Sequence, residues 1–123
     1  MKGILIIDHG SVVAAANDML EGVVTLVQQM ASEDVFVCAA HMELAEPTIA
    51  QGFARCVEAG ATEVVAFPYM LSPGKHSTRD IPRMVAEAAR AFPGVSFRVT
   101  DAFGIDEALA AVVLQRAGEK QRA

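Results

Sequence analysis

Short runs of strand-forming apolar residues alternate with helical patterns along the chain, and this alternation constrains the fold more than any other feature. The first run covers residues 3–8 and the second covers residues 35–40. A third run extends over residues 62–68 and a fourth over residues 95–100. Runs that are short and almost continuously apolar are typical of strands buried on both faces of a parallel sheet.

Segments with helical periodicity follow each of these runs. The first has an inner stripe that recurs every three or four residues and consists of Val13, Asn17, Leu20, Val24, Val27 and Met30. Pro47 fits the first turn of a second helix, which Gly60 would end. Further helices are predicted over residues 77–91 and 105–116. The alternation therefore predicts an α/β fold, a single domain with a four-stranded parallel sheet and helices on both faces.

Size and charge exclude several classes of protein. A chain of 123 residues and 13.0 kDa fits a single domain over residues 1–123, in which residues 117–123 are expected to be a frayed tail. No apolar stretch reaches the ~18 residues of a membrane span, so we expect a cytoplasmic protein without a membrane partner. A net charge of −5 opposes nucleic acid as the main partner. Cys38 and Cys56 form no CxxC motif and are expected to be reduced core thiols.

All three histidines fall at or just after the carboxyl end of an apolar run. Because right-handed crossovers place every βα turn at one edge of a parallel sheet, these turns should lie close together. The expected edge contains His9, Gly10 and Ser11 from the first turn, His41 and Glu43 from the second, and residues Leu71 to His76 from the third. Two imidazoles and a carboxylate suit a divalent first-row metal.

Each candidate also has a simpler interpretation. His9 could be a polar strand end, with Ser11 capping the helix that follows. Glu43 could only favour the next helix N-terminus, and His76 could be an exposed loop residue. His41 is a candidate fourth metal ligand or a buried histidine at the sheet edge. The residues by themselves leave these alternatives open.

The three turn motifs, taken in order, resemble the small class II chelatases of the CbiX/SirB type. They are His9-Gly10-Ser11, the segment from Glu43 to Ile49, and the segment from Pro68 to Pro82 with Gly74, His76 and Asp80 inside it. The resemblance covers about residues 3–116. It implies a chelatase-like fold and a lyase that inserts Co²⁺ or Fe²⁺ into sirohydrochlorin for cobalamin or sirohaem synthesis. A related archaeal group inserts Ni²⁺.

The resemblance also implies roles for individual residues. His9, Glu43 and His76 are the expected catalytic residues, and His9 and His76 the expected metal ligands, with Glu43 as a further candidate. His41 is a candidate ligand from its position alone, two residues before Glu43 on the same side of an extended strand. Expected substrate-binding residues are Gly10, Ser11, Leu71, Gly74, Lys75 and Arg79. The divalent metal, Co²⁺, Fe²⁺ or Ni²⁺, is then a substrate and no cofactor is permanently bound. Because long family members contain two such halves, a homodimer is expected.

The sequence differs from many relatives at position 12, and two other classes of function stay open. Val12 follows Ser11 where many relatives carry arginine, which removes one expected cation near the substrate carboxylates. A non-catalytic metal or tetrapyrrole carrier could use the same ligands. A flavodoxin-like phosphate or nucleotide binder would share the topology, although the first turn has no phosphate-binding loop beyond Gly10-Ser11.

Overall fold

The chain forms four strands and four helices in strict alternation. A computed structural model describes residues 1–123. The elements are β1 (Lys2–Asp8), α1 (Ala14–Met30), β2 (Val35–His41), α2 (Ile49–Glu58), β3 (Glu63–Pro68), α3 (Ile81–Ala89), β4 (Ser96–Val99) and α4 (Glu107–Arg116). A π-helical turn over His76–Asp80 leads into α3. No helix combines the length and apolar character needed to cross a membrane.

The strands form one parallel sheet in the order β2-β1-β3-β4. β1 lies at its centre and pairs along its length with both neighbours, with Asp8 opposite His41 in β2 and Ile7 opposite Pro68 in β3. Because all strands run in the same direction, the turns that follow them lie at one edge. The predicted α/β fold with a four-stranded parallel sheet is confirmed.

Alternate residues of β1 build two cores of unequal size. Leu5 and Ile7 face α2 and α3 and belong to a cluster of 14 buried residues, in which Phe53 is fully buried. Ile6 faces α1 and belongs to a cluster of only 5 buried residues with Leu20 and others. The larger core therefore lies under two helices and the smaller core under one.

The second helix begins at Ile49, two residues after Pro47. Thr48 is its N-cap, and its hydroxyl accepts a hydrogen bond from the Gln51 backbone N–H while the Gln51 side chain accepts one from the Thr48 N–H. Pro47 therefore precedes the helix instead of occupying its first turn. The reciprocal capping satisfies two N–H groups that the first turn leaves free.

Other boundaries and faces also differ from expectation. The segment predicted as one helix over 77–91 is divided into the π-helical turn and α3. Met30, which the period placed on the inner stripe of α1, is 85% exposed, because the last α1 residue that packs on the smaller core is Val27. The last helix, α4, buries none of its residues. Helices cover both faces as predicted, but α4 covers neither.

The two cysteines lie side by side in the larger core. Both are free and buried, and their Sγ atoms are 3.3 Å apart. The hydrogen bond with Cys38, together with burial, raises the pKa of the Cys56 thiol far above its usual range. Cys56 is therefore a neutral packing residue at physiological pH.

Gly52 permits the close approach of α2 to the sheet, and substitution of this glycine tests the contact. A Cβ at position 52 would lie 2.6 Å from Leu5 Cδ1 and 3.2 Å from the Ala39 carbonyl oxygen. We expect Gly52→Ala to lower the free energy of unfolding by about 1–3 kcal/mol through overpacking. The control, Gly22→Ala on the open face of α1, should raise it by about 0.5–1 kcal/mol. Urea unfolding measures both, and equal stability of the two variants would contradict the close approach.

Candidate metal centre

The first turn carries His9 and is held against the second turn by a glycine. Gly10 has a φ of +88°, and a Cβ there would collide with the Glu43 carbonyl oxygen. The Glu43 N–H donates to the His9 carbonyl oxygen at 3.1 Å. A backbone hydrogen bond therefore joins the two turns just beyond the last residue of β1. Both the conformation and the space at position 10 require glycine.

Ser11 and Asn17 tie the first turn to the start of α1. The Ser11 N–H donates to Asn17 Oδ1 at 2.9 Å, and Asn17 Nδ2 donates back to the Ser11 carbonyl at 2.7 Å. The Ser11 hydroxyl accepts from the Val13 N–H, but Val13 is the N-cap and α1 has no side-chain cap. The simpler interpretation of Ser11 as the helix cap is therefore wrong. Asn17, which the helical period placed on the core stripe, holds the turn instead.

The third turn places His76 at the start of the π-helical turn. Thr78 hydrogen-bonds the Gly74 carbonyl through both its N–H, at 2.9 Å, and its hydroxyl, at 2.6 Å. Ser77 is buried, and its hydroxyl accepts from the Gly74 N–H at 3.0 Å. These bonds order the loop from Gly74 onward and direct His76 towards the first turn.

The structure brings two of the predicted residues together. The rings of His9 and His76 meet edge to face, with centroids 4.5 Å apart and an interplanar angle of 79°. They line one cleft of about 190 Å³ together with Met70, Ser72, Gly74 and Ser77. Both rings are solvent-accessible. Two imidazoles at this separation can bind the same small ion.

Asp80 orients His76, a role that sequence reasoning missed. His76 Nδ1 lies 3.1 Å from Asp80 Oδ2, and the other carboxylate oxygen accepts from Arg79 Nε at 3.1 Å. The hydrogen bond from Arg79 lowers the pKa of the Asp80 carboxyl, so Asp80 is ionised at neutral pH. An ionised carboxylate holds the proton of a neutral imidazole on Nδ1 and leaves Nε2 with its lone pair. The spacing of four residues in a helical segment was the available signal.

His41 takes a different position from the other two histidines. It is 2% exposed, and its Nδ1 lies 2.6 Å from Asp8 Oδ1. The register pairs His41 with Asp8, so both side chains lie on the α1 side of the sheet with Ile6, whereas alternation places His9 on the other side. His41 is the buried edge histidine of the simpler interpretation, and Asp8 is its partner.

Glu43 contacts His9 through its backbone only. Its side chain is exposed, and its carboxylate makes no hydrogen bond to His9 or His76. No group of three or more His, Cys, Asp or Glu side chains is arranged to hold a metal ion. The catalytic role of Glu43 stays a prediction.

The residues expected to bind substrate differ in their exposure and in their ion pairs. Leu71 is 69% exposed, and Gly74 lines the cleft. The side chain of Lys75 is exposed and forms no ion pair, whereas Arg79 and Arg83 both approach Asp80. Lys75 is therefore the cation in this loop that is free to meet an anionic ligand.

The contact between Asp80 and His76 leads to a prediction. Asp80→Ala should shift the neutral His76 ring from the Nδ1–H tautomer to the Nε2–H tautomer, because the acceptor at Nδ1 is lost. Nitrogen chemical shifts of the His76 ring report the tautomer, and Glu87→Ala on α3 is the control. The α3 N-terminus should be unaffected, since Asp80 makes no side-chain cap there. An unchanged tautomer would show that Asp80 does not orient the ring.

Comparison with known proteins places this geometry in a family. Residues 3–120 match the CbiX family model. The chain is 43% identical over 114 residues to the chloroplastic sirohydrochlorin ferrochelatase of Arabidopsis thaliana. The alignment covers 93% of this chain and 50% of that protein. It is 33% identical over 122 residues to a sirohydrochlorin cobaltochelatase of Priestia megaterium, covering 97% of this chain and 39% of the relative.

A solved structure agrees with the sequence comparison. The structure of SirB from Bacillus subtilis with Fe³⁺ superposes with a TM-score of 0.85 at 32% identity, over 94% of this chain and 45% of that one. The chain thus spans half or less of the length of these relatives. With the family model matched from residue 3 to residue 120, and the same fold in SirB, the chain belongs to the CbiX family.

Proposed function

We propose that this chain is a sirohydrochlorin chelatase, a lyase that inserts Co²⁺ or Fe²⁺ into the tetrapyrrole for cobalamin or sirohaem synthesis. Relatives named ferrochelatase and cobaltochelatase support the reaction class, and they do not select one metal. Ni²⁺ remains a third candidate substrate. The observation that carries the proposal is the pairing of His9 with His76 at the cleft.

The separation of the two rings supports a role in holding the incoming ion. Two imidazoles that bind one first-row metal at about 2.1 Å per nitrogen hold their ring centroids roughly 4.5–5.5 Å apart. The observed separation is 4.5 Å. Two protein ligands also leave coordination positions for the pyrrole nitrogens, which transfer of the ion requires. The pair is thus suited to deliver a metal that must leave again.

The reaction releases two protons for each metal that enters the macrocycle. The divalent ion replaces two pyrrole N–H protons, so the site needs acceptors near neutral pH. Imidazole is the side chain suited to this exchange. We assign His9 and His76 to metal binding and proton acceptance, with Asp80 keeping Nε2 of His76 available. Glu43, on the neighbouring turn, is proposed to balance charge or relay protons outward.

The proposed substrate surface is the loop around the cleft. Sirohydrochlorin carries several carboxylates, which a chain of net charge −5 must attract locally. Lys75 has no acidic partner, and Arg79 uses Nε for Asp80 and keeps its remaining N–H groups. Gly10, Ser11 and Gly74 offer backbone close to the ligand, while Leu71 offers an apolar contact for the macrocycle.

A second copy of the chain is proposed as its partner. The chain spans half or less of the length of the relatives it matches, so in a homodimer the second copy would supply the other half of the site. Residues 1–123 are proposed to act as one domain in each copy. The two buried free cysteines favour a reducing compartment, and we propose the cytoplasm.

Removing either histidine should abolish most of the activity. We expect His9→Ala and His76→Ala to reduce the enzyme-dependent rate of Co²⁺ insertion into sirohydrochlorin roughly 100-fold or more. Absorbance spectra follow the metallated product, after subtraction of the spontaneous reaction. Circular dichroism should be unchanged, because both rings are exposed. His41→Ala should instead lower thermal stability, since it leaves a buried cavity beside Asp8.

Two outcomes would overturn this assignment. Stoichiometric binding of sirohydrochlorin or metal without turnover of Co²⁺, Fe²⁺ or Ni²⁺ would identify a carrier. Full activity in both histidine variants would exclude the pair from the reaction.

Charge reversal in the loop tests the proposed substrate surface. Lys75→Glu should raise the KM for sirohydrochlorin several-fold and leave kcat nearly unchanged, because it weakens attraction of the carboxylates without touching the histidines. Lys120→Glu, beyond the end of α4, changes net charge equally and is the control. Steady-state rates at low and moderate salt give the KM and kcat of both variants. An equal KM for both variants would contradict a specific role for Lys75.

A further inference from the structure

Each of the four turns that follow the strands carries an exposed aliphatic side chain. These residues are Val12, Leu44, Leu71 and Ile105, and each is at least 65% exposed. Single exposed aliphatic residues are ordinary on a protein surface. These four differ because their turns share one edge of the sheet with the pair of histidines.

Leu44 differs from the other three in its backbone conformation. Its φ is +71°, and it is the one non-glycine residue of the chain with a positive φ. The left-handed region is unfavourable for leucine because Cβ comes too close to the following carbonyl oxygen, whereas glycine and asparagine adopt it at lower cost. The Leu44 side chain is 65% exposed, so packing within its own chain does not explain why leucine occupies this position.

The second turn is anchored on both sides of Leu44. The His41 N–H donates to the Pro47 carbonyl oxygen at 2.8 Å, which closes the loop at its base. The Glu43 N–H donates to the His9 carbonyl oxygen at 3.1 Å, which joins the loop to the first turn. Leu44 is the next residue. An anchored loop therefore holds an exposed leucine in a strained conformation beside the metal centre, and such outliers are typical of functional sites.

Leu44 and Leu71 lie on opposite sides of the first turn. The strand order β2-β1-β3 places the second turn on one side of His9 and the third turn on the other. Neighbouring strands are about 4.8 Å apart, so the two outer turns are separated by roughly 10 Å. The Gly104 N–H donates to the Leu71 carbonyl oxygen at 2.8 Å, which brings Ile105 to the same side as Leu71. Aliphatic side chains on both sides of the histidines suit a broad, flat ligand with an apolar face.

We infer that Leu44 contacts the macrocycle face of the tetrapyrrole substrate, and that the strained backbone at this position is retained for that contact. The inference rests on the proposed chelatase function. The macrocycle presents a flat apolar face, and contact with an aliphatic side chain removes part of that face from water. Lys75 attracts the carboxylates at the periphery of the same ligand. Leu44 is then a substrate-binding residue that stabilises the complex at the expense of the free protein.

Two substitutions that suit the left-handed conformation test this trade. Leu44→Gly and Leu44→Asn both fit a φ of +71° and both remove the aliphatic contact. We expect each to raise the Kd for metal-free sirohydrochlorin about fivefold to tenfold, because less apolar area is buried in the complex. We also expect each to raise the midpoint of urea unfolding by roughly 0.3 M through relief of strain. Absorbance titration without metal gives the Kd, and circular dichroism in urea gives the midpoint.

Two further variants are controls. Leu44→Met keeps an aliphatic side chain of similar size and should bind sirohydrochlorin as the wild type does. Leu26→Ala removes a leucine from α1 that is 60% exposed, and it should leave the Kd unchanged. A Kd that rises in Leu44→Gly but not in Leu44→Asn would reflect loop flexibility and would contradict the contact.

The remaining outcomes distinguish this inference from the proposed function. A wild-type protein that does not bind sirohydrochlorin overturns both. A wild-type protein that binds it, with an unchanged Kd in Leu44→Gly and Leu44→Asn, overturns the contact alone. A lower urea midpoint in both variants would mean that Leu44 stabilises its own chain. A change of mass in light scattering with an unchanged Kd would assign Leu44 to a contact between copies, and either result contradicts the inference.

Discussion

The pairing of β1 with both β2 and β3 is the interaction on which the rest of the structure depends. β1 is the first strand of the chain but lies in the centre of the sheet. α1 leaves to one face and α2 to the other, so the sheet changes its direction of winding at β1. Ligand sites of open α/β sheets form beyond the carboxyl ends of the strands at such a point. His9 and His76, which follow β1 and β3, meet there because these strands are neighbours.

Two contacts between a carboxylate and a histidine show how burial decides function. Asp8 holds His41 and Asp80 holds His76, in each case through Nδ1. The His41 side chain is 2% exposed, so its contact satisfies a polar group inside the fold. The His76 side chain is 48% exposed, so its contact leaves a nitrogen open to the cleft. An Asp–His contact therefore supports the buried sheet edge in one place and orients an exposed imidazole in the other.

The two faces of the sheet are covered unequally. Two helices close the face that His9 shares, and the larger core lies on that side of the sheet. The other face is half open, and the segment that hydrogen-bonds the third turn at Met70 and Leu71 also begins the exposed helix.

The sequence by itself determined the order of the elements, the parallel sheet and the location of His9 and His76 at one edge. Hydrophobic periodicity is local, and the crossover rule converts it into topology. The tertiary structure alone decided that His41 pairs with Asp8, that Asp80 orients His76 and that Asn17 locks Ser11. Those contacts depend on strand register and rotamers, which an apolar pattern does not contain. A helix near residues 105–116 was predicted, but only the fold revealed that its own chain leaves it uncovered.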